Sequence, residues 1–79
     1  MRDRNRRVEI EMPEQTYKVV EIVGTSDVSI SKAIEGAIAK AGATLRHLAW
    51  FEVGQIRGNI ADGKVKHYQV TLKVGFTLE

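Results

Sequence analysis

The sequence contains no cysteine, one proline and two histidines among its 79 residues. The lack of cysteine excludes a disulfide framework and thiolate metal sites, and two histidines are too few for a structural zinc centre. A chain of this length buries only about 60% of its unfolded surface, so its own core gives marginal stability. Because disulfides and a structural metal are excluded, we expect oligomerisation to supply the missing stability.

Long apolar runs are also missing, since the longest cover only a few residues, whereas a membrane-spanning helix needs about 18. No apolar segment of the signal-peptide type follows the first residues, and we expect a soluble, cytoplasmic protein without membrane contact. Twelve basic and ten acidic residues give a net charge of +2. This small surplus does not by itself indicate a nucleic-acid partner.

The first seven residues depart from this balance because they hold four arginines. Such a segment is typical of a solvated extension, or of an arm through which a small module binds nucleic acid. We predict an N-terminal extension over residues 1–15 and a folded domain over residues 16–79, and we hypothesise that residues 8–11 dock on a neighbouring subunit as an added strand or arm. The four arginines are Arg2, Arg4, Arg6 and Arg7.

Hydrophobic periodicity predicts the first half of the domain. A segment rich in β-branched residues predicts a strand over residues 17–23. An apolar stripe of helical period then predicts a helix over residues 29–44, with Ser29 as its N-cap. Glycine within a helix costs about 1 kcal/mol of stability relative to alanine. The presence of Gly36 and Gly42 therefore indicates a close approach of another backbone or, for Gly42, early fraying of the helix.

The second half reads as a hairpin of two strands, over residues 48–60 and 65–78, joined by Asp62-Gly63. Residues 58–64 match the spacing of a phosphate-binding Walker loop as far as the lysine. Val65 stands where that loop needs a hydroxyl, and strands flank it where a helix is required, so we interpret the segment as a turn. The predicted fold is α+β, in the order β-α-β-β, with a three-stranded antiparallel sheet packed around one helix.

Two smaller features carry weak chemical signals. Gly24, Thr25 and Ser26 are expected to connect the first strand to the helix, where their polar groups could bind an anion or simply cap the turn. His47 and His67 lack metal-like spacing and are interpreted as surface or interface residues. We therefore predict no metal site and no catalytic residues.

The second and third strands carry the strongest signal in the chain. Strand alternation places Trp50 opposite in phase to Phe51 and Val53, on the side of the sheet away from the helix, together with Gln69. Several separate blocks, in order and with the same spacing, closely resemble the dodecin family over residues 16–79. These blocks are Tyr17–Ser26 (YKVVEIVGTS), Trp50–Val53 (WFEV), Ile56–Gly58 (IRG) and Tyr68–Phe76 (YQVTLKVGF).

The resemblance implies a small flavin-binding protein that assembles as a hollow dodecamer and stores or sequesters flavin. In the family, two flavins stack between symmetry-related tryptophans at a subunit interface, and Trp50 matches that tryptophan. Gln69 matches a glutamine that hydrogen-bonds the pyrimidine edge of flavin, and Arg57 matches an arginine near the ribityl or phosphate end, with Gln55 as a neighbouring candidate. Thr77 stands where many relatives carry arginine or lysine, which leaves riboflavin or lumichrome open beside FMN.

Some bacterial dodecins also bind coenzyme A through the first strand and the end of the helix. Two hypotheses compete with flavin storage: a nucleic-acid-binding module that uses the arginine-rich extension, and a flavin-dependent enzyme, for which the sequence shows no acid–base pair. The positions that resemble the coenzyme A contacts are Tyr17, Lys18, Lys40, Thr44 and Arg46.

Overall fold

The computed structural model describes residues 14–78, so the hypothesis that residues 8–11 dock on a neighbour lies outside the described residues. The predicted β-α-β-β order is confirmed, and β3 lies at the centre of the sheet, antiparallel to both of its neighbours. The elements are β1 (Tyr17–Ser26), α1 (Ile30–Thr44), β2 (Leu48–Ala61) and β3 (Lys64–Thr77).

The predicted start of the helix is confirmed by its capping contacts. Ser29 has an extended backbone, and its Oγ accepts the Lys32 N–H at 3.0 Å, which satisfies one of the free amide groups of the first turn. Ser26 Oγ accepts the Val28 N–H at 2.9 Å. The prediction that Gly24, Thr25 and Ser26 form a connecting loop was wrong, because β1 continues through all three.

The core lies between α1 and the central strand. One face of β3 is buried, as its alternation predicts, and α1 presents small side chains to it. Small side chains on the helix let it approach the sheet closely, so the Val and Leu side chains of β3 are fully buried beneath it. The buried residues of this cluster are Ala33, Ala37, Val70, Leu72 and Val74.

The strand and the helix approach each other closely at Gly24, and not at the helical glycines. A Cβ placed on Gly24 would overlap the Ala33 carbonyl oxygen and lie 2.8 Å from the Ala37 Cβ. A Cβ on Gly36 would meet nothing within 4 Å, and one on Gly42 would make an ordinary contact of 3.7 Å with Leu48. The expectation that the helical glycines mark a close approach or early fraying was therefore wrong within this chain.

A two-residue turn closes the hairpin. Asp62 and Gly63 both have positive φ angles, 54° and 73°, between the paired residues Ala61 and Lys64. This combination matches the right-handed twist of the flanking strands and is typical of Asp-Gly turns. The predicted Asp62-Gly63 hairpin is confirmed, and the remaining residues of the 58–64 segment belong to the two strands.

The hairpin extends beyond the cover of α1. The helix contacts β1 and β3, and every residue of β2 except Leu48 is exposed in the single chain. Large apolar side chains on β2 are among the exposed residues, including Phe51 at 48%, Ile56 at 55% and Ile60 at 78%. No helix among the described residues has the length and hydropathy needed to cross a membrane.

Candidate functional site

The sheet face opposite α1, here called the outer face, carries the predicted flavin residues. Residues directly opposite each other in an antiparallel pair share a face. Trp50 lies opposite Gly75, and Arg57 lies opposite Gln69. Gly75 and Gln69 alternate with the buried residues of β3, so all four of these residues lie on the outer face. Gln55, opposite Thr71, belongs to the same face.

A β-bulge at Gly54 is responsible for this common orientation. Arg57 comes seven positions after Trp50, an odd number, so strict alternation would place the two residues on opposite faces. Between the pairs Val53–Leu72 and Gln55–Thr71, β2 advances by two residues while β3 advances by one. The extra residue shifts the phase of β2 and turns Gln55 and Arg57 to the side that Trp50 occupies.

The indole of Trp50 packs directly against the sheet. A Cβ on Gly75 would overlap indole Cε2 and Cζ2 and lie 2.8 Å from Cδ2, so the ring occupies the space above this glycine. Tyr17 contacts the ring in an edge-to-face arrangement, with ring centroids 5.8 Å apart and an interplanar angle of 64°. Trp50 nevertheless stays 39% exposed, so the indole face directed away from Gly75 is accessible to a ligand.

Gln69 and Arg57 form a second group on the outer face. Gln69 is half-buried in the central strand, whereas Arg57 is exposed on the neighbouring strand. The register places this pair six residues along β3 from Gly75. At about 3.3 Å per residue, the backbone positions of the two groups are about 20 Å apart along the strand in one chain. The structure therefore brings Gln69 and Arg57 together but does not bring them to Trp50.

A row of charged residues lies between these groups. Lys73 is opposite Glu21 on β1 and opposite Glu52 on β2, so two carboxylates flank one ammonium group. Arg57 carries positive charge at the end of the outer face that Gln69 occupies. A ligand phosphate is consequently favoured beside Arg57 and disfavoured beside the row of Glu21, Lys73 and Glu52.

The residues predicted to bind coenzyme A lie on both faces of β1 and around the second half of α1. Tyr17 contacts Trp50 on the outer face, and Lys18 follows it in β1 and therefore faces the helix side. Lys40 lines a cavity of about 260 Å³ with Ile22 and Val23. The other two predicted residues are Thr44, whose Oγ1 donates to the Ala41 carbonyl at 3.5 Å, and exposed Arg46, which follows the helix.

Sequence reasoning missed Gly75 as the residue against which the indole packs. The available signal was a glycine that interrupts an otherwise regular alternation in a central strand, which often marks close approach of another group. Within residues 14–78, no group of three histidine or acidic residues is arranged to hold a metal ion.

Comparisons with known proteins agree with this architecture. The family model described as Dodecin matches residues 16–79. A curated dodecin from Thermus thermophilus is 57% identical over 65 residues, which cover 82% of this chain and 94% of that protein.

Solved structures show the same relationship. A crystal structure of a protein from Thermus thermophilus superposes with a TM-score of 0.79 at 57% identity, covering 82% of this chain and 96% of that chain. The structure of dodecin from Streptomyces coelicolor gives a TM-score of 0.80 at 53% identity, covering 86% of this chain and 97% of that chain. The chain therefore belongs to the dodecin family of small flavin-binding proteins.

Proposed function

We propose that this protein stores flavin, without catalysing its chemistry, by stacking the isoalloxazine ring against Trp50 between neighbouring copies of the chain. The observation that carries the proposal is the indole of Trp50, which packs on Gly75 with its opposite face accessible on the outer face. A planar apolar ring held in this way is a ready stacking partner for a flat aromatic ligand.

The distance along the outer face supports a site that several copies build together. Trp50 and the Gln69–Arg57 pair are about 20 Å apart along the sheet, which is longer than the three fused rings of a flavin can span. This spacing favours a site in which a flavin stacks on Trp50 of one copy and takes its polar contacts from another copy. Membership in the dodecin family implies homo-oligomeric assembly, and we propose that the assembly is a dodecamer.

The exposed apolar residues of β2 support the same conclusion. Phe51, Val53 and Ile56 lie on the helix side of the sheet, opposite Val74, Leu72 and Val70 respectively, but α1 does not cover them. An uncovered apolar strand of this length is a liability in a monomer and a natural subunit contact in an oligomer.

The polar pair suits the ends of a flavin. The Gln69 amide offers both a donor and an acceptor, as the alternating N–H and carbonyl groups of the pyrimidine edge require. Arg57 offers a guanidinium that pairs bidentately with phosphate or hydrogen-bonds ribityl hydroxyls. Gln55 lies between them and Trp50 on the same face and is proposed as a supporting contact.

Stacking on indole also explains why such a site suits storage. Contact between an electron-rich indole and an electron-poor isoalloxazine quenches the flavin excited state, which protects the ligand and its surroundings from photochemistry. The neutral side chain of Thr77, on the outer face opposite Tyr17, adds no charge for a phosphate near Trp50. Riboflavin and lumichrome are therefore proposed as ligands beside FMN, and coenzyme A stays a prediction from the family resemblance.

A fluorescence titration tests the proposal. Purified protein is added to riboflavin, FMN and lumichrome in separate experiments, and flavin emission is recorded for the unaltered chain and for Trp50→Ala. We expect strong quenching by the unaltered chain and at least a tenfold loss of affinity in the variant, since both stacking and contact area are lost. Absence of quenching by the unaltered chain contradicts the proposal. The arginines of the nucleic-acid alternative lie outside the described residues, and no described feature favours that function.

A further inference from the structure

The glycine beneath the indole is the feature of the outer face that the proposed function leaves unexplained. Gly75 is buried in the central strand, where a residue without a side chain weakens the sheet and loses packing. Its neighbours on the same face of β3, Lys73 and Thr77, both carry side chains. A glycine at this position therefore calls for a specific reason.

We propose that Gly75 is a positioning residue that fixes the plane and height of the Trp50 ring for stacking. The inference rests on the proposed function, because it takes Trp50 as the surface on which flavin stacks. Gly75 itself does not touch the ligand and acts only through the indole.

The contacts around Trp50 carry this argument. A Cβ on Gly75 would overlap Cε2 and Cζ2 of the indole, two atoms at the fusion of the two rings and beside it. The ring therefore occupies the space above the Gly75 backbone and leaves no room for a side chain there. Tyr17 contacts the indole edge to face, so it limits sliding along the sheet while the opposite indole face stays accessible.

Alanine at position 75 cannot be accommodated by small adjustments of a flexible side-chain end. These overlaps involve rigid ring atoms, and non-bonded carbon atoms prefer separations of about 3.5–4.0 Å. The indole of Gly75→Ala must therefore lift or rotate away from the sheet. A displaced ring loses the parallel arrangement that stacking needs, so flavin binding weakens although no ligand contact has been removed.

The first experiment examines the ligand-free protein. The chain has a single tryptophan, so near-ultraviolet circular dichroism and tryptophan emission report on Trp50 alone among indoles. We expect Gly75→Ala to change both signals. Gly36→Ala is the matched control, because a Cβ there meets nothing within 4 Å, and its signals should equal those of the unaltered chain. Unchanged Trp50 signals in Gly75→Ala overturn the inference whether or not the protein binds flavin.

The second experiment is a double-mutant cycle on riboflavin affinity. Gly75→Ala should bind riboflavin about tenfold more weakly than the unaltered chain, the upper range of a lost aromatic stacking contact. In a Trp50→Ala background, the same Gly75→Ala change should alter affinity by less than about twofold, because the indole through which it acts is gone. If Gly75 acted independently of Trp50, the change would cost the same factor in both backgrounds. An equal loss in both backgrounds contradicts a role that acts through Trp50.

A last measurement applies if the Gly75→Ala variant does not form the oligomer. The double variant Gly75→Ala with Trp50→Ala should then recover it, because the overlapping ring is gone. Failure of the double variant to assemble, when Trp50→Ala alone does, overturns the inference. If the unaltered chain binds no flavin, the proposed function fails, while the ligand-free spectra still decide the position of the indole.

Discussion

The pairing of Gln69 with Arg57 predicts that two variants separate the two ends of the ligand. Gln69→Ala should weaken riboflavin, FMN and lumichrome by the same factor, because all three share the pyrimidine edge. An unsatisfied donor and acceptor cost about 1–3 kcal/mol when buried. Gln69 is half-buried in the single chain, so we expect the lower part of that range, about 1–2 kcal/mol or a 5- to 30-fold loss.

Arg57→Ala should instead discriminate between ligands. FMN carries a phosphate, riboflavin carries only the ribityl chain, and lumichrome carries neither. Because Arg57 is exposed, its pairing with phosphate is screened by solvent and is worth about 1 kcal/mol, or about a fivefold loss for FMN. Lumichrome should bind with unchanged affinity, and riboflavin should fall between the two.

Isothermal titration of each variant with the three ligands measures these factors. Asn59→Ala is the matched control, since Asn59 lies on the outer face of the same strand, two residues beyond Arg57, opposite His67. An equal loss of FMN and lumichrome in Arg57→Ala, or a loss confined to FMN in Gln69→Ala, would refute the assignment of these two residues to the two ends of the flavin.

Three further predictions concern packing, assembly and ligand choice. Gly24→Ala should destabilise the chain by about 1–3 kcal/mol, because its Cβ overlaps the Ala33 carbonyl; urea unfolding at matched concentration measures this, and unchanged stability argues against the close strand–helix contact. Ile56→Asp should raise the protein concentration at which the oligomer falls apart at least tenfold, because it places an unpaired charge in an apolar contact on the helix side of β2; light scattering measures this against Asn59→Asp, which changes the outer face of the same strand, and equal effects of the two variants contradict an interface on the helix side of β2. Thr77→Arg should tighten FMN binding about fivefold, with riboflavin unchanged, by pairing with phosphate; titration with both ligands decides, and an equal gain for riboflavin rules out that explanation.

Much of the fold could be predicted because local patterns and tertiary packing agree. The alternation of β3 identifies its buried face, and the apolar stripe with Ser29 at its start identifies α1 and its beginning. The extension of β1 to Ser26 escaped prediction, because Gly24 reads as a strand end. In the structure that glycine permits the helix to approach, a tertiary reason that a single strand pattern does not reveal.

The candidate site was only partly predictable for a different reason. Trp50, Gln69 and Arg57 were named through the family resemblance, but their common face depends on the bulge at Gly54. A shift of one residue in register reverses every side chain that follows. The sequence marks Gly54 and Gly58 as possible bulges, and only the register shows that the extra residue falls at Gly54 while Gly58 is paired with Tyr68. The separation of Trp50 from Gln69 along the sheet likewise became evident only once the register was known.

The central claim is that flavin binds where copies of this chain meet, with Trp50 supplying the stacking surface. Size-exclusion chromatography with light scattering and flavin absorbance tests it most directly, applied to the unaltered chain and to Ile56→Asp after incubation with riboflavin. The account predicts quenched flavin in a peak near twelve times the chain mass of 8.8 kDa, and no flavin with the dissociated variant although its Trp50 is intact. Equally tight, quenched riboflavin bound to a monomer would contradict it.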